Sequence, residues 1–269
     1  MNRISTRLEN LKSQGRKALV SYVVSGDPSL DATLPVMHGL VEQGVDIIEL
    51  GIAFSDPMAD GPVIQLGHER ALANGVSLRS TLALVAEFRK TNSDTPIVLM
   101  GYANPIIRMG YAEFSDAAKA AGVDGLLTVD LPPEESVGLN LELKRVGIED
   151  IYLIAPTTKP ERIKMIAGLA GGFLYYVSLK GVTGAGHLDV DSVGTKVSEI
   201  RSMTDLPLCV GFGIKDAATA KAVGQLADGV VVGSALVKVM GEMAGSSGAE
   251  VSKALESVVA PLRKGLDEL

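Results

Sequence analysis

Tryptophan is absent from the 269 residues, cysteine occurs once and histidine three times, and no basic run and no apolar stretch long enough to cross a bilayer occurs. Each shortage removes a class of protein. A single cysteine, Cys209, excludes an intrachain disulfide and any cysteine-rich metal site, and within LPLCVGF it reads as a small buried hydrophobe. His38, His68 and His187 lack metal-ligand spacing, so no metal is expected, and solvated or packing roles are expected of them. The formal charge of -7, without basic-aromatic interleaving, argues against nucleic acid, because a phosphate backbone demands clustered Lys and Arg. The opening MNRISTRLENLKSQGRKAL spaces Ile4, Leu8 and Leu11 as a helix but has no continuous apolar core. An extra N-terminal helix is expected there, with neither signal peptide nor membrane span, and a cytoplasmic location. The missing tryptophan by itself decides nothing.

Hydrophobic residues, at 46%, supply a large core, and 21% charged residues leave a soluble surface. Short apolar runs recur at 18–24, 46–51, 96–102, 125–131, 151–156, 173–179, 207–213 and 229–235, with helix-period segments between them. The runs are rich in β-branched residues and lack polar alternation, as strands covered on both faces should be. Gly44-Val45-Asp46, Gly122-Val123-Asp124 and Gly147-Ile148-Glu149 form a weak internal echo at helix-to-strand joints. Eight βα units without a central linker predict one (βα)8 TIM barrel over residues 1–269, with GSSGAE (245–250) as a loop between two terminal helices.

Barrel chemistry sits at the C-terminal strand ends. Glu49 ends one apolar strand and, sharing a face with Val45 and Ile47, is expected to look into the barrel mouth, where burial raises a carboxyl pKa. Asp60 follows on a loop punctuated by Gly and Pro, expected to be more open and ionised. Two carboxyls in unlike surroundings can divide acid and base roles. A Glu49 paired with a cation and an Asp60 that merely forms a turn fit the same pattern, Asp56 before Pro57 reads as a turn residue, and Asp130 ahead of Pro132-Pro133 stays open. Gly213 after the seventh strand, Gly233-Ser234 after the eighth and the loop 180–186 after the sixth supply bare backbone N–H groups of the kind that hold phosphate, although glycines also end helices. Tyr22, Met100, Tyr102, Leu127, Tyr175 and Phe212 read as core, or as walls that sandwich a flat apolar ligand.

The segments ELGIAFSDPMADGPVIQ (49–65), MGYANPI (100–106), VDLPPEE (129–135), YYVSLKGVTGAG (175–186), VGFGIKD (210–216) and VVVGSALVK (230–238) resemble the tryptophan synthase alpha subunit family in order and along nearly the whole chain. That resemblance implies cleavage of indole-3-glycerol phosphate to indole and glyceraldehyde 3-phosphate. It implies Glu49 as the proton shuttle and Asp60 as the group that stabilises positive charge at the indole N–H. Tyr175 and Phe212 would contact the indole, with Tyr22, Met100, Tyr102 and Leu127 expected from their strand-end places to complete the substrate site; Thr183 would orient Asp60, and Gly184, Gly213, Gly233 and Ser234 would hold the phosphate. It further implies a beta subunit carrying pyridoxal phosphate in an αββα heterotetramer, contacted through Ala53, Phe54, Ser55, Asp56, Pro57, Asn104 and Pro105, with no cofactor in this chain. Ala53 and Met58 depart from the proline and leucine usual in the motif. Other readings are a barrel kept mainly to activate a beta subunit, and another phosphate-binding barrel enzyme of the pathway. An indole-glycerol-phosphate synthase would want a lysine at an early strand end, which is lacking.

Overall fold

The computed structural model describes residues 2–178, 190–211, 213–214 and 216–269. Eight strands, β1 (Ala18–Val24), β2 (Ile47–Gly51), β3 (Ile97–Gly101), β4 (Gly125–Thr128), β5 (Glu149–Ile154), β6 (Leu174–Val177), β7 (Leu208–Gly211) and β8 (Gly229–Val232), pair in parallel in chain order. β8 returns to β1 with Ala18 opposite Gly229, which closes the barrel. Around it among the described residues lie α1 (Arg3–Ser13), α2 (Leu30–Glu42), α3 (Pro62–Ala73), α4 (Leu78–Arg89), α5 (Ala103–Met109), α6 (Tyr111–Ala121), α7 (Val137–Val146), α8 (Pro160–Leu169), α9 (Val190–Arg201), α10 (Ala217–Gly224), α11 (Ser234–Glu242) and α12 (Gly248–Asp267).

Local chemistry starts and stops these helices. Ser77 and Ser80, Asp216 and Thr219, and Ser247 and Glu250 form reciprocal capping boxes at the starts of α4, α10 and α12, and Pro62 and Pro160 open α3 and α8. Side chains from alternate strand positions then divide into two cores. Val20, Ile47, Val98, Leu127, Ile151, Tyr175, Cys209 and Val231 fill the barrel, while Leu19, Ile48, Leu99, Leu126, Val210 and Val230 pack outward beneath the helices. Val45 belongs to the outer set rather than to the face of Glu49, because it precedes β2 and the strand alternation has not yet begun. Cys209 is a buried interior thiol, as its apolar context indicates.

The N-terminal helix closes the floor: Ile4, Leu8 and Leu11 join the interior cluster from below. Around that floor the glycine-valine-aspartate echo has a physical purpose. Asp46, immediately before β2, accepts the N–H of Leu19 on β1 at 2.9 Å and pairs with Arg263 of α12 at 3.0 Å. Asp124, before β4, accepts the N–H of Ile97 on β3 at 2.9 Å and pairs with Arg89 of α4 at 2.7 Å and Arg3 of α1 at 2.9 Å. Asp228, before β8, repeats this with Leu208 of β7 at 2.9 Å and Arg201 of α9 at 3.0 Å. Glu149, the third acidic residue of the echo, makes no such clasp among the described residues. It lies within β5 and half-buried, so its carboxyl starts from a different register. Each clasp satisfies an N–H at the start of a strand while tying a helix to the barrel.

Candidate active site

Because all eight strands run the same way, their C-terminal ends form one mouth, and β2 brings Glu49 to it. Glu49 is fully buried, and neither carboxyl oxygen meets a hydrogen-bond partner among the described residues. Burial alone pushes the group up to about 8. A carboxyl kept so costs free energy and at neutral pH holds a proton that it can give up, which is the property of a general acid-base rather than of a structural residue. Tyr22 on β1 stands directly opposite Glu49 in register. The hydroxyls of Tyr22 and Tyr175 are both raised, first by burial and then by the charges of Asp60 and Glu49, so the four groups share one field. Room for the two tyrosines comes from the next strand: a Cβ at Gly51 would strike Tyr22 and one at Gly211 would strike Tyr175.

Beyond β2 the chain turns, with the Asp60 N–H bonded to the Pro57 carbonyl at 3.0 Å, before Gly61 and Pro62 start α3. Asp60 proves enclosed rather than open, at 8% exposure. The Tyr102 hydroxyl donates to its Oδ2 at 2.7 Å and itself accepts the Ala59 N–H at 3.1 Å. Tyr102 is thus foremost the partner of Asp60, and its hydroxyl pKa is raised by burial first and by that hydrogen bond second. Phe54 stacks on the Tyr102 ring at 5.1 Å.

His68 corrects the expectation of a solvated or merely packing histidine. It is buried in α3 with Nε2 at 3.3 Å from Asp60 Oδ2 and 3.4 Å from the Tyr22 hydroxyl, while Nδ1 accepts the Phe54 N–H at 3.2 Å. The signal lay in spacing: Ile64, His68 and Ala71 form an i, i+4, i+7 stripe, the inward face of a helix. Arg70 and Asn74 hold that face in place. Arg70 makes a two-pronged pair with the buried Asp27 at 2.7 and 3.0 Å, and Asn74 bonds the carbonyls of Gly26 and Pro28.

The remaining sequence-derived residues divide by position. Met100 and Leu127 lie in or against the interior cluster near the mouth. Gly213 has φ of +79°, a conformation that glycine alone adopts readily, and Gly233 caps α11, whose first residue is Ser234. Among the described residues the start of α11 has no side-chain cap and no acidic residue in its first turn, and although the Leu236 N–H bonds the Gly233 carbonyl at 2.8 Å, the N–H groups of Ser234 and Ala235 face an anion site at the helix start. Thr183, Gly184 and Phe212 lie outside the described residues. On the rim, Ser55, Asp56 and Asn104 are exposed, Phe54 and Pro57 are half-buried, as is Pro105, and Met58 is 79% exposed. Ala53 instead turns into the cluster around Tyr22. Asp130 has a definite task, since its Oδ1 accepts the Ala103 N–H at 2.7 Å and so caps α5 behind Tyr102.

A closed parallel barrel with a buried carboxyl at its mouth, unpartnered among the described residues, places the molecule among the TIM-barrel enzymes. Within that class the comparisons are specific. The profile of the family described as tryptophan synthase alpha chain matches residues 8–266. A tryptophan synthase alpha chain of Thiobacillus denitrificans is 55% identical over 267 residues, covering 99% of this chain and 97% of the relative. Tryptophan synthase subunit alpha from Legionella pneumophila str. Paris superimposes with a TM-score of 0.91 at 42% identity, covering 100% of both chains. The aminoacrylate-bound tryptophan synthase of M. tuberculosis gives 0.87 at 32% identity, covering 99% of this chain and 100% of that one. The chain belongs to the tryptophan synthase alpha chain family and is a lyase of tryptophan biosynthesis.

Proposed function

We propose that the chain, as a single domain, cleaves indole-3-glycerol phosphate to indole and glyceraldehyde 3-phosphate, with Glu49 and Asp60 as its catalytic carboxylates. The observation that carries this reading is the fully buried Glu49 carboxyl, unpartnered among the described residues and held near 8. Protonated Glu49 gives its proton to indole C3. As carboxylate it then takes the proton of the neighbouring glycerol hydroxyl, the C–C bond breaks to leave an aldehyde, and the bonding electrons return to the indole ring. The proton lost equals the proton gained, so Glu49 ends as it began. Asp60, aimed by Tyr102, stabilises the positive charge that the ring nitrogen acquires when C3 is protonated.

Tyr22, Met100, Leu127 and Tyr175 line the indole site, with Phe212 by family pattern. The first turn of α11 at Gly233 and Ser234, with Gly213 and, by family pattern, Gly184, holds the phosphate, and Thr183 steadies Asp60 from the loop that carries it. The rim formed by Phe54 to Met58 and Asn104 to Pro105 docks on a beta subunit, which carries the pyridoxal phosphate and consumes the indole in a cytoplasmic αββα assembly. The test is direct: purified chain is mixed with indole-3-glycerol phosphate and free indole is assayed, with and without a beta subunit. Indole release is expected, and its absence under both conditions would overturn the reading.

A further inference from the structure

His68 stands between the rim and the reacting groups and has not been assigned a task. Its Nδ1 accepts the Phe54 backbone N–H at 3.2 Å, so Nδ1 carries no proton. In the neutral ring the proton therefore resides on Nε2, and the oxygens within reach of Nε2 are Asp60 Oδ2 at 3.3 Å and the Tyr22 hydroxyl at 3.4 Å. The Tyr102 hydroxyl approaches the same Oδ2 at 2.7 Å. Among the described residues both contacts to this carboxylate fall on Oδ2 and none on Oδ1. The Tyr102 ring meets His68 edge-on, with centroids 6.5 Å apart, which limits rotation of the imidazole.

We propose that His68 is a positioning residue for the cleavage reaction: as the Nε2–H tautomer it fixes Asp60 through Oδ2, leaves Oδ1 for the substrate N–H, and ties that geometry to the rim at Phe54. The inference rests on the reading of Asp60 given above. Its two ring nitrogens do separable work, which sets it apart from a packing histidine. Rim displacement at Phe54 moves Nδ1, and the rigid ring passes the movement to Nε2 and so to Asp60. A carboxylate misplaced by about 1 Å at a reacting centre costs up to roughly 100-fold in rate.

The test separates the two nitrogens in the full-length chain. His68→Gln places an amide N–H near the Nε2 position, His68→Asn places a carbonyl oxygen near the Nδ1 position, and His68→Leu supplies neither. With indole-3-glycerol phosphate as substrate, kcat for the Gln variant is expected within about 3-fold of the parent chain, while Asn and Leu lose about 10- to 100-fold with KM nearly unchanged. Should Leu fail to fold, Asn decides, because it keeps the Phe54 contact. Nitrogen-15 NMR of the ring in the parent chain is expected to show Nε2 protonated and Nδ1 bare. A protonated Nδ1, unchanged kcat in the Asn variant, or a Gln variant as slow as Asn would each overturn the proposal. An inert parent chain would instead remove the cleavage reaction itself, with the NMR tautomer still deciding the assignment of His68.

Discussion

The Tyr102 hydroxyl donates a hydrogen bond to Asp60 while its oxygen accepts one from the backbone N–H of Ala59, so one buried group orients both the carboxylate and the turn that presents it. Tyr102→Phe keeps the ring and its stack on Phe54 but takes the hydroxyl away from both Asp60 and the Ala59 N–H. Hydrogen bonds to charged groups contribute about 1.5–3 kcal/mol, so a loss of that size in transition-state stabilisation, a kcat reduction of roughly 10- to 100-fold, is expected. Steady-state assay of indole release checks it.

Glu49 predicts a pH-dependent stability. Folding raises its carboxyl from an ordinary 4.5 to about 8, so the folded chain binds this proton more tightly than the unfolded one. The contribution is complete below pH 4.5 and is lost as pH rises through about 8, at no more than about 1.4 kcal/mol per pH unit. Glu49→Gln cannot ionise and escapes that loss. Urea denaturation of parent and variant at about pH 5 and about pH 9 is expected to show the variant gaining relative stability at the higher pH, and the same variant should bind substrate without cleaving it.

The legible part of this molecule follows from where its strands are buried. Strands covered on both faces leave continuous apolar runs in the sequence, and all eight were readable, although several runs overshoot their strands: 229–235 runs on past the end of β8 into α11, and 125–131 past the end of β4, where Asp130 turns away to cap α5. Glu49 was readable for the same reason, as a charge that an apolar strand cannot carry without a purpose. The role of His68 was not, since it depends on how α3 is rotated by the pairing of Arg70 with Asp27, a contact 43 residues apart. Likewise the aspartates of the floor announced a repeated joint but not its use, which depends on the register between neighbouring strands.

Those floor aspartates support a prediction about stability alone. Asp124→Ala takes the carboxylate partner from Arg89, mostly buried and with a pKa already lowered to about 10 by desolvation, leaves that charge only backbone carbonyls, and leaves the Ile97 N–H unpaired. Removing one partner of such a pair costs about 3–5 kcal/mol. Chemical denaturation is expected to show that loss, while KM for indole-3-glycerol phosphate stays unchanged because the clasp lies at the opposite end of the barrel.

Ala53 offers a gain. Its N–H meets no acceptor among the described residues, and its methyl packs in the cluster around Tyr22. Ala53→Pro narrows the unfolded ensemble without forfeiting a backbone hydrogen bond, an effect of about 0.4–1 kcal/mol in compatible positions. A rise in thermal midpoint with kcat retained is the expected outcome, and a fall would show that the backbone at 53 does not accept the proline ring.

The aspartate clasps at Asp46, Asp124 and Asp228 act as a hoop around the floor of the barrel. Three of the four odd-even strand pairs are riveted to a helix at the floor, whereas at the other rim Asp60 is held through the single side chains of Tyr102 and His68. Compliance is therefore graded along the barrel axis: the lower end behaves as a stiff mount, and deformation imposed by a docking partner concentrates at the rim that bears the reacting groups.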